Sequence, residues 1–293
     1  MVINVNFINK LKGFCSLLNL ISILTMIILL NSIPISCRSN QFTMSDHIDN
    51  STNENPNYLK IPKIFHQIWF DFGNGNKIPT NFERNTKRLL ELHPGWEIKL
   101  WSEEQVEKLI IDNVPEFLDV WQGYDKKIKK HDSSRVIILH THGGVYLDHD
   151  FIPIKNIEVL LGDNTFVIAS EETSYVRTCN AFLASTKENP LLFEVLNDMY
   201  QPENRVKFVT DATGPGLWTE SLRHYLSAEE YIPGIKIYHP KFLFPCHWNQ
   251  NCDRFNIDNI SQIKKEFPDC FLFQGYANSW SKVGHDKVVS PDL

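Results

Sequence analysis

The chain has 293 residues, 42% hydrophobic and 22% charged, with a formal net charge of -6. That is ordinary for a globular protein and long enough for one sizeable α/β domain with additions. Its basic residues form no broad patch: Lys126-Lys127 and Lys129-Lys130 read as a solvated helix face, which argues against a nucleic-acid partner. The six cysteines show neither a CxxC nor a Cys/His zinc spacing, which argues against structural zinc.

In chain order, residues 1–13 read as a cytosolic tail and 14–36 as a signal anchor. Phe14 to Leu30 is apolar apart from scattered Cys, Ser, Asn and Thr, and about 20 such residues span a bilayer. Lys10 and Lys12 in front favour a cytosolic N-terminus, hence a single-pass type II protein with its bulk in the lumen of the ER or Golgi. A cleaved signal peptide ending near Ser36 is the rival reading, and it too places the remainder in the secretory pathway. Residues 37–59 are polar and aperiodic, a flexible stem, and 60–293 form the folded domain. Asn50-Ser51-Thr52 and Asn259-Ile260-Ser261 have the form of N-glycosylation acceptors. Cys246 and Cys252 lie in a loop-like stretch at a spacing that suits a small disulfide.

Ile61 to Trp69 alternates as a strand, with His66 a buried structural histidine and Trp69 at a strand end where a ligand would sit. Asp71 to Asn76 bears glycines but lacks any phosphate-cradling signature. Phe82 to His93 is a helix stopped by Pro94-Gly95, Trp96 to Trp101 a strand, and Ser102 to Gln105 a capping box opening another helix. A further short helix runs from Pro115 to Trp121. Phe166 to Ser170 and Asn180 to Ser185 are strands, and Pro190 to Tyr200 and Leu217 to Leu226 are helices. Between those helices, Asp211 to Gly216 reads as a tight loop able to meet a ligand. Phe271 to Tyr276 is a late strand that would return Asn278-Ser279-Trp280 to the site. Strands alternating with helices predict an α/β fold with a mostly parallel sheet.

The most informative stretch is Lys130 to Asp150. Asp132 or a neighbouring serine caps a helix start, Gly143 suits the position after the helix end, and Val145-Tyr146-Leu147 is a strand. Asp148 and Asp150 follow at the strand's exit. Two carboxylates so close repel each other, and a hard divalent cation relieves that while demanding oxygen ligands. Alternate residues of an extended strand face opposite ways, so both meet one ion only where the chain turns; Phe151-Ile152-Pro153 predicts that turn. A cation held by so few protein groups completes its shell with phosphates, which points to a nucleotide-bound substrate. Arg135 lies one helical turn after Asp132 on the same face and can pair with it or with a donor oxygen. A solvated acidic turn and a structural ion pair are the plain alternatives.

Several blocks in order resemble glycosyltransferase family 32, the DXD-containing sugar transferases that include fungal initiating α-1,6-mannosyltransferases and inositol-phosphoceramide mannosyltransferase subunits. The blocks are Ile61 to Trp69, His93 to Trp101, Asp132-Ser133-Ser134-Arg135, Gly143 to Asp150, Thr213-Gly214-Pro215 and Ser279-Trp280. The resemblance implies a GT-A-type, Rossmann-like single domain and a retaining transfer. It further implies that Asp150 binds Mn²⁺ (or Mg²⁺) directly, with Asp148 touching the ion and the ribose. Asp132 would take donor-sugar hydroxyls, with Arg135, Trp69 and Tyr146 beside the donor and Trp69 stacked on the base. Where the family often has His-His-Trp, this chain reads Gln274-Gly275-Tyr276-Ala277-Asn278, so Asn278 or a nearby side chain stands in as the third metal ligand.

The expected activity is therefore metal-dependent transfer of a sugar, mannose favoured, from a nucleotide diphosphate to a glycan or glycolipid. GDP-mannose is the favoured donor and UDP-sugars remain open. A catalytically silent nucleotide-sugar or carbohydrate binder on the same fold is the alternative, and a metal-dependent hydrolase using Asp148 and Asp150 is a third. Glu171, Glu172 and Asp211 are available carboxylates for a double displacement, but same-face attack is the default for retention.

Overall fold

Three short, strand-prone runs make the frame of the site. Ile64–Ile68 (β1), Glu97–Trp101 (β2) and Gly144–Leu147 (β3) lie side by side, with β1 central and parallel to both neighbours. The computed structural model describes residues 42–48, 59–71, 77–228, 234–247 and 249–276. The expected anchor at 14–36, most of the stem, and Asn278-Ser279-Trp280 lie outside the described residues. Among the described residues no helix is long and apolar enough to cross a membrane.

The six-stranded sheet has the order β2-β1-β3-β6-β5-β7, completed by Phe166–Ala169 (β5), Phe182–Ser185 (β6) and Ile235–Tyr238 (β7). Only β6 runs against the rest: it pairs antiparallel with β3 and β5, while β5 pairs parallel with β7. Phe151–Pro153 (β4) and Leu272–Gln274 (β8) form a separate antiparallel ribbon.

The inner strands β3, β5 and β6 are buried on both faces, as the centre of a largely parallel sheet must be, and the period-2 alternation sorts their side chains. Val145, Leu147, Val167 and Phe182 feed one apolar cluster. Tyr146, Phe166, Ile168 and Leu183 feed the other, which packs against helices including Lys127–His142 (α4) and Pro190–Tyr200 (α6). The other helices that precede α6 are Thr80–Leu92 (α1), Glu103–Asn113 (α2), Leu118–Gln122 (α3) and the single turn Glu158–Leu161 (α5). The expected capping box at α2 is present: the Gln105 amide donates to Ser102 Oγ at 3.3 Å, and the Ser102 amide to Gln105 Oε1 at 3.0 Å. A third, smaller cluster surrounds the Cys246–Cys252 disulfide and includes Phe255, Ile263 and Phe273.

Three local expectations are corrected. First, α4 begins at Lys127, so Asp132 caps nothing; it is buried in the helix's second turn. The lysines before it are good helix formers and extend the helix backwards. Second, Lys129 is not on a solvated face. It is buried, its ammonium paired with Asp125 at 2.9 Å and donating to the Arg205 carbonyl at 2.8 Å. Third, the tight loop expected over 211–216 is shorter than that. Val209–Ala212 (α8) and Pro215–Ala228 (α9) are helical, leaving Thr213-Gly214 as the junction.

The Gly143-Gly144 pair is demanded by space as well as by angle. Both have positive φ, +67° and +97°. A Cβ on Gly143 would lie 2.7 Å from the Lys187 amide nitrogen, and one on Gly144 2.6 Å from the Ile64 carbonyl. This lets β3 approach β1 directly from the end of α4. His66 fixes the junction: Trp101 Nε1 donates to its Nδ1 at 3.1 Å, so its Nε2 donates to the Gly143 carbonyl at 2.9 Å. Burial pushes the His66 pKa down to about 4, which keeps that neutral tautomer in place.

Candidate active site

Asp132 and Arg135 stand one turn apart on the buried face of α4, and β3 delivers Tyr146 and Asp148 to the same place. One guanidinium nitrogen, Arg135 Nη2, lies 3.2 Å from Asp132 Oδ1 and 3.1 Å from Asp148 Oδ1. The other, Nη1, donates to the Asn180 carbonyl at 2.7 Å. The guanidinium also covers the Tyr146 ring at 4.9 Å, and the Tyr146 hydroxyl donates to Asp148 Oδ1 at 2.5 Å. Thr213 Oγ1 donates to Asp132 Oδ2 at 3.1 Å, which brings the α8–α9 junction into the cluster.

Two carboxylates thus share one guanidinium, and Asp150 follows two residues on. The group carries more negative than positive charge in a largely dry place. Burial raises the Asp132 pKa to about 6 despite the Arg135 charge, and burial raises Asp148 as well. Burial also acts against the charged Arg135, but Asp148, Tyr146 and Asp132 outweigh it and its pKa is raised. The site's chemistry is that of carboxylates held ionised by one cation and short of a second.

The turn expected after β3 is present. The Phe151 amide donates to the Asp148 carbonyl at 3.3 Å, closing the four residues Asp148 to Phe151. Its middle residue, His149, is buried and packs against Phe82 at 6.1 Å and edge-on to Trp69 at 5.4 Å. Asn85 Nδ2 donates to the His149 carbonyl at 3.1 Å, tying the turn to α1. Asp148 and Asp150, on either side of His149, are half-buried. The two contacts made to Asp148 above both fall on Oδ1, and its side chain is 25% exposed. Oxygen donors of this kind suit a hard divalent cation. Among the described residues no three His, Cys, Asp or Glu groups converge on one point. An ion here would therefore complete its shell with phosphate and water oxygens.

Trp69 is not part of the charged cluster. It lies half-buried beside the turn, edge-on to Phe82 and His149, and its Nε1 is buried with no hydrogen-bond partner. The ribbon completes the enclosure: the Gly275 amide donates to the Asp150 carbonyl at 3.1 Å, directly after β8. Next comes Tyr276, at φ +47°, whose buried hydroxyl has no partner. Burial raises its pKa, and Cys179, Glu171, Asp150 and Glu172 act on it in the same direction. The expected third ligand, Asn278, lies outside the described residues. Of the other carboxylates considered, Glu171 is paired with Arg177 at 2.8 Å and Glu172 with His247 at 2.8 Å.

Sequence reasoning left Asn180 and Thr213 out of the site. Thr213 lies within the Thr-Gly-Pro block, so a signal for it existed. Asn180 enters the cluster twice: its backbone carbonyl accepts from Arg135, and its side-chain amide donates to the Thr213 carbonyl at 3.4 Å and bonds Asp132.

Residues 79–167, which run from α1 to the start of β5, match a family model described as a glycosyltransferase sugar-binding region containing a DXD motif. The chain is related to the DXD-containing glycosyltransferases. An uncharacterized glycosyltransferase of Acanthamoeba polyphaga mimivirus is 26% identical over 223 residues, covering 75% of this chain and 84% of that protein. Inositol phosphoceramide mannosyltransferase 1 of Schizosaccharomyces pombe is 29% identical over 168 residues, 56% of this chain and 51% of the yeast protein. Among solved structures, the PaToxG glycosyltransferase aligns at 20% identity over 56% of this chain and 70% of that one, with a TM-score of 0.47. The chain thus spans most of the viral relative but about half of the yeast one. In this DXD-glycosyltransferase relative, the Asp-x-Asp is Asp148-His149-Asp150, and the matched region holds every member of the charged cluster except Asn180 and Thr213.

Proposed function

We propose that this protein transfers a sugar, mannose favoured, from a nucleotide diphosphate to a glycan or glycolipid acceptor, with retention of anomeric configuration. The observation that carries the reading is the shared guanidinium. Arg135 holds Asp132 and Asp148 together at the end of β3, and the turn beyond them presents Asp150. Asp148 and Asp150 would hold Mn²⁺ or Mg²⁺, which supplies Lewis-acid stabilisation of the departing diphosphate. Asp132, anchored by Thr213, is the acceptor for donor-sugar hydroxyls. Arg135 is buried and both its terminal nitrogens are engaged, which supports a positioning role for it over donor contact. Trp69 borders the turn where a base would stack, and Tyr146 fixes the Asp148 carboxylate. Glu171 is engaged by Arg177 and Glu172 by His247, which supports same-face attack over a double displacement on either of those two carboxylates. The Cys246–Cys252 disulfide supports an oxidising compartment, in keeping with a lumenal domain on the N-terminal anchor. The mannosyltransferase name of the Schizosaccharomyces pombe relative supports mannose, with GDP-mannose the first donor to try.

The deciding experiment is donor consumption and acceptor glycosylation across a panel of GDP- and UDP-sugars with Mn²⁺, for the wild type and Asp150→Asn. Metal-dependent transfer by the wild type, lost in the variant, is expected. If the two proteins behave alike with every donor, the reading is wrong. Thermal stabilisation by donor and metal with no turnover would select a sugar-nucleotide binder instead.

A further inference from the structure

Val206 and Phe208 are 85% and 86% exposed, the highest values among the large apolar residues described. A single exposed apolar side chain needs no explanation, but these two are neighbours on one short segment. They sit between Pro202–Arg205 (α7) and α8, alternating with cations in the run Arg205-Val206-Lys207-Phe208. Tyr200, itself 43% exposed, stacks beneath Arg205, whose guanidinium lies 5.0 Å from its ring centre.

The segment is held firmly. Arg205 Nε donates to the Tyr200 carbonyl at 2.9 Å, and Lys207 Nζ to Asn204 Oδ1 at 2.7 Å. The Phe208 carbonyl accepts from the Asp211 and Ala212 amides at 3.0 and 2.8 Å. From beneath, buried Lys129 donates to the Arg205 carbonyl at 2.8 Å. Lys129 stands on α4 one turn before Asp132, and α8 leads from Phe208 to the Thr213 that bonds Asp132. The same few residues therefore present the apolar pair outward and the sugar-side carboxylate inward.

We propose that this knuckle docks on a lipid bilayer surface. Val206 and Phe208 enter the acyl boundary, Arg205 and Lys207 meet lipid phosphates, and the Tyr200 ring lies at headgroup level. Apolar residues interleaved with cations and an aromatic ring are what a membrane interface selects. Two side chains are too small a patch for a stable protein interface, which needs on the order of 1,000 Å². They are enough for weak insertion that assists a separate anchor. The consequence for the acceptor, that it is a membrane-borne glycolipid, rests on the transferase reading; the docking does not.

The test uses the full chain with Phe208→Cys, labelled with an environment-sensitive fluorophore and reconstituted into phosphatidylcholine vesicles with 20% phosphatidylserine, a composition of roughly the charge that attracts basic segments. Labelled wild type corrects for the native cysteines, and Val159→Cys, at a position 46% exposed elsewhere, is the control. Blue-shifted emission, quenched by lipid-borne doxyl groups at 208 and not at 159, is expected. Adding Arg205→Glu and Lys207→Glu should weaken the quenching. Water-like emission at 208 overturns the proposal. So does a blue shift that lipid quenchers leave untouched, since a second copy or the chain's own apolar N-terminal run would then be the cover. With Val206→Ser and Phe208→Ser, transfer to a vesicle-borne glycolipid should fall about tenfold relative to a soluble acceptor. A protein that docks yet transfers to nothing overturns the transferase reading and leaves the docking standing.

Discussion

Two buried regions of this protein are built on opposite principles. The cluster at the end of β3 is polar and directional: Arg135 links Asp132, Asp148 and the Asn180 carbonyl, with Tyr146 and Thr213 filling further acceptor positions. The small lobe around the Cys246–Cys252 disulfide is apolar and non-directional, with Phe255, Phe267 and Phe273 in mutual ring contact. In the lobe, stability follows buried area and is lost gradually. In the cluster it depends on paired charges, so loss of the shared cation leaves carboxylates buried and uncompensated. The β4–β8 ribbon joins them, since its strands line the lobe and Gly275 bonds Asp150 at the site.

The sharpest way to break this contrast is Arg135→Ala. It should destabilise the fold by about 3–5 kcal/mol, because two buried carboxylates lose their shared cation. Denaturant unfolding measures this. A loss under 1 kcal/mol, about that of a surface pair, would mean that Arg135 is not the buried counter-charge of the two carboxylates.

The pH dependence comes next. Asp132 has its pKa raised by burial from 3.8 to about 6, so between those values the native state keeps a proton that the unfolded chain releases. Stability contributed by this group is present at low pH and is lost as pH rises through about 6, by up to about 3 kcal/mol. Asp148 is shifted in the same direction. Subtracting the unfolding profile of Asp132→Asn from that of the wild type, both with chelator, isolates the effect. A difference curve that rises with pH over this window would contradict it. The lobe has no counterpart, because its members do not titrate there.

In the lobe, Cys246→Ser should cost about 2 kcal/mol, the value for a small closed loop, and leave the α4–β3 cluster intact. A thermal melt sees the first; the retained pH difference curve checks the second. The smallest effect is expected where the two regions meet. Tyr276→Phe removes a buried hydroxyl that has no partner, so stability should hold or rise by up to about 1 kcal/mol. A clear loss would show that the hydroxyl is bonded in solution.

Much of the frame was legible because it is local. The capping box at Ser102, the helix from Pro190 to Tyr200 and the turn after Asp148 each follow from residues close in sequence, whose spacing fixes the hydrogen bonds available. Tyr146, Asp148 and the Asp132–Arg135 spacing were legible for the same reason, as was the short reach from Cys246 to Cys252. What the sequence could not decide was which groups would lose their water. Asp132 resembles a helix cap and Lys129 a solvated lysine until packing buries both and chooses their partners, among them Thr213 and the Arg205 carbonyl. Asn180 joins the site through a carbonyl that every residue possesses and through an amide side chain whose partners, the Thr213 carbonyl and Asp132, are far off in sequence. Desolvation and backbone contacts across the fold are properties of the assembled chain, and a linear pattern carries neither.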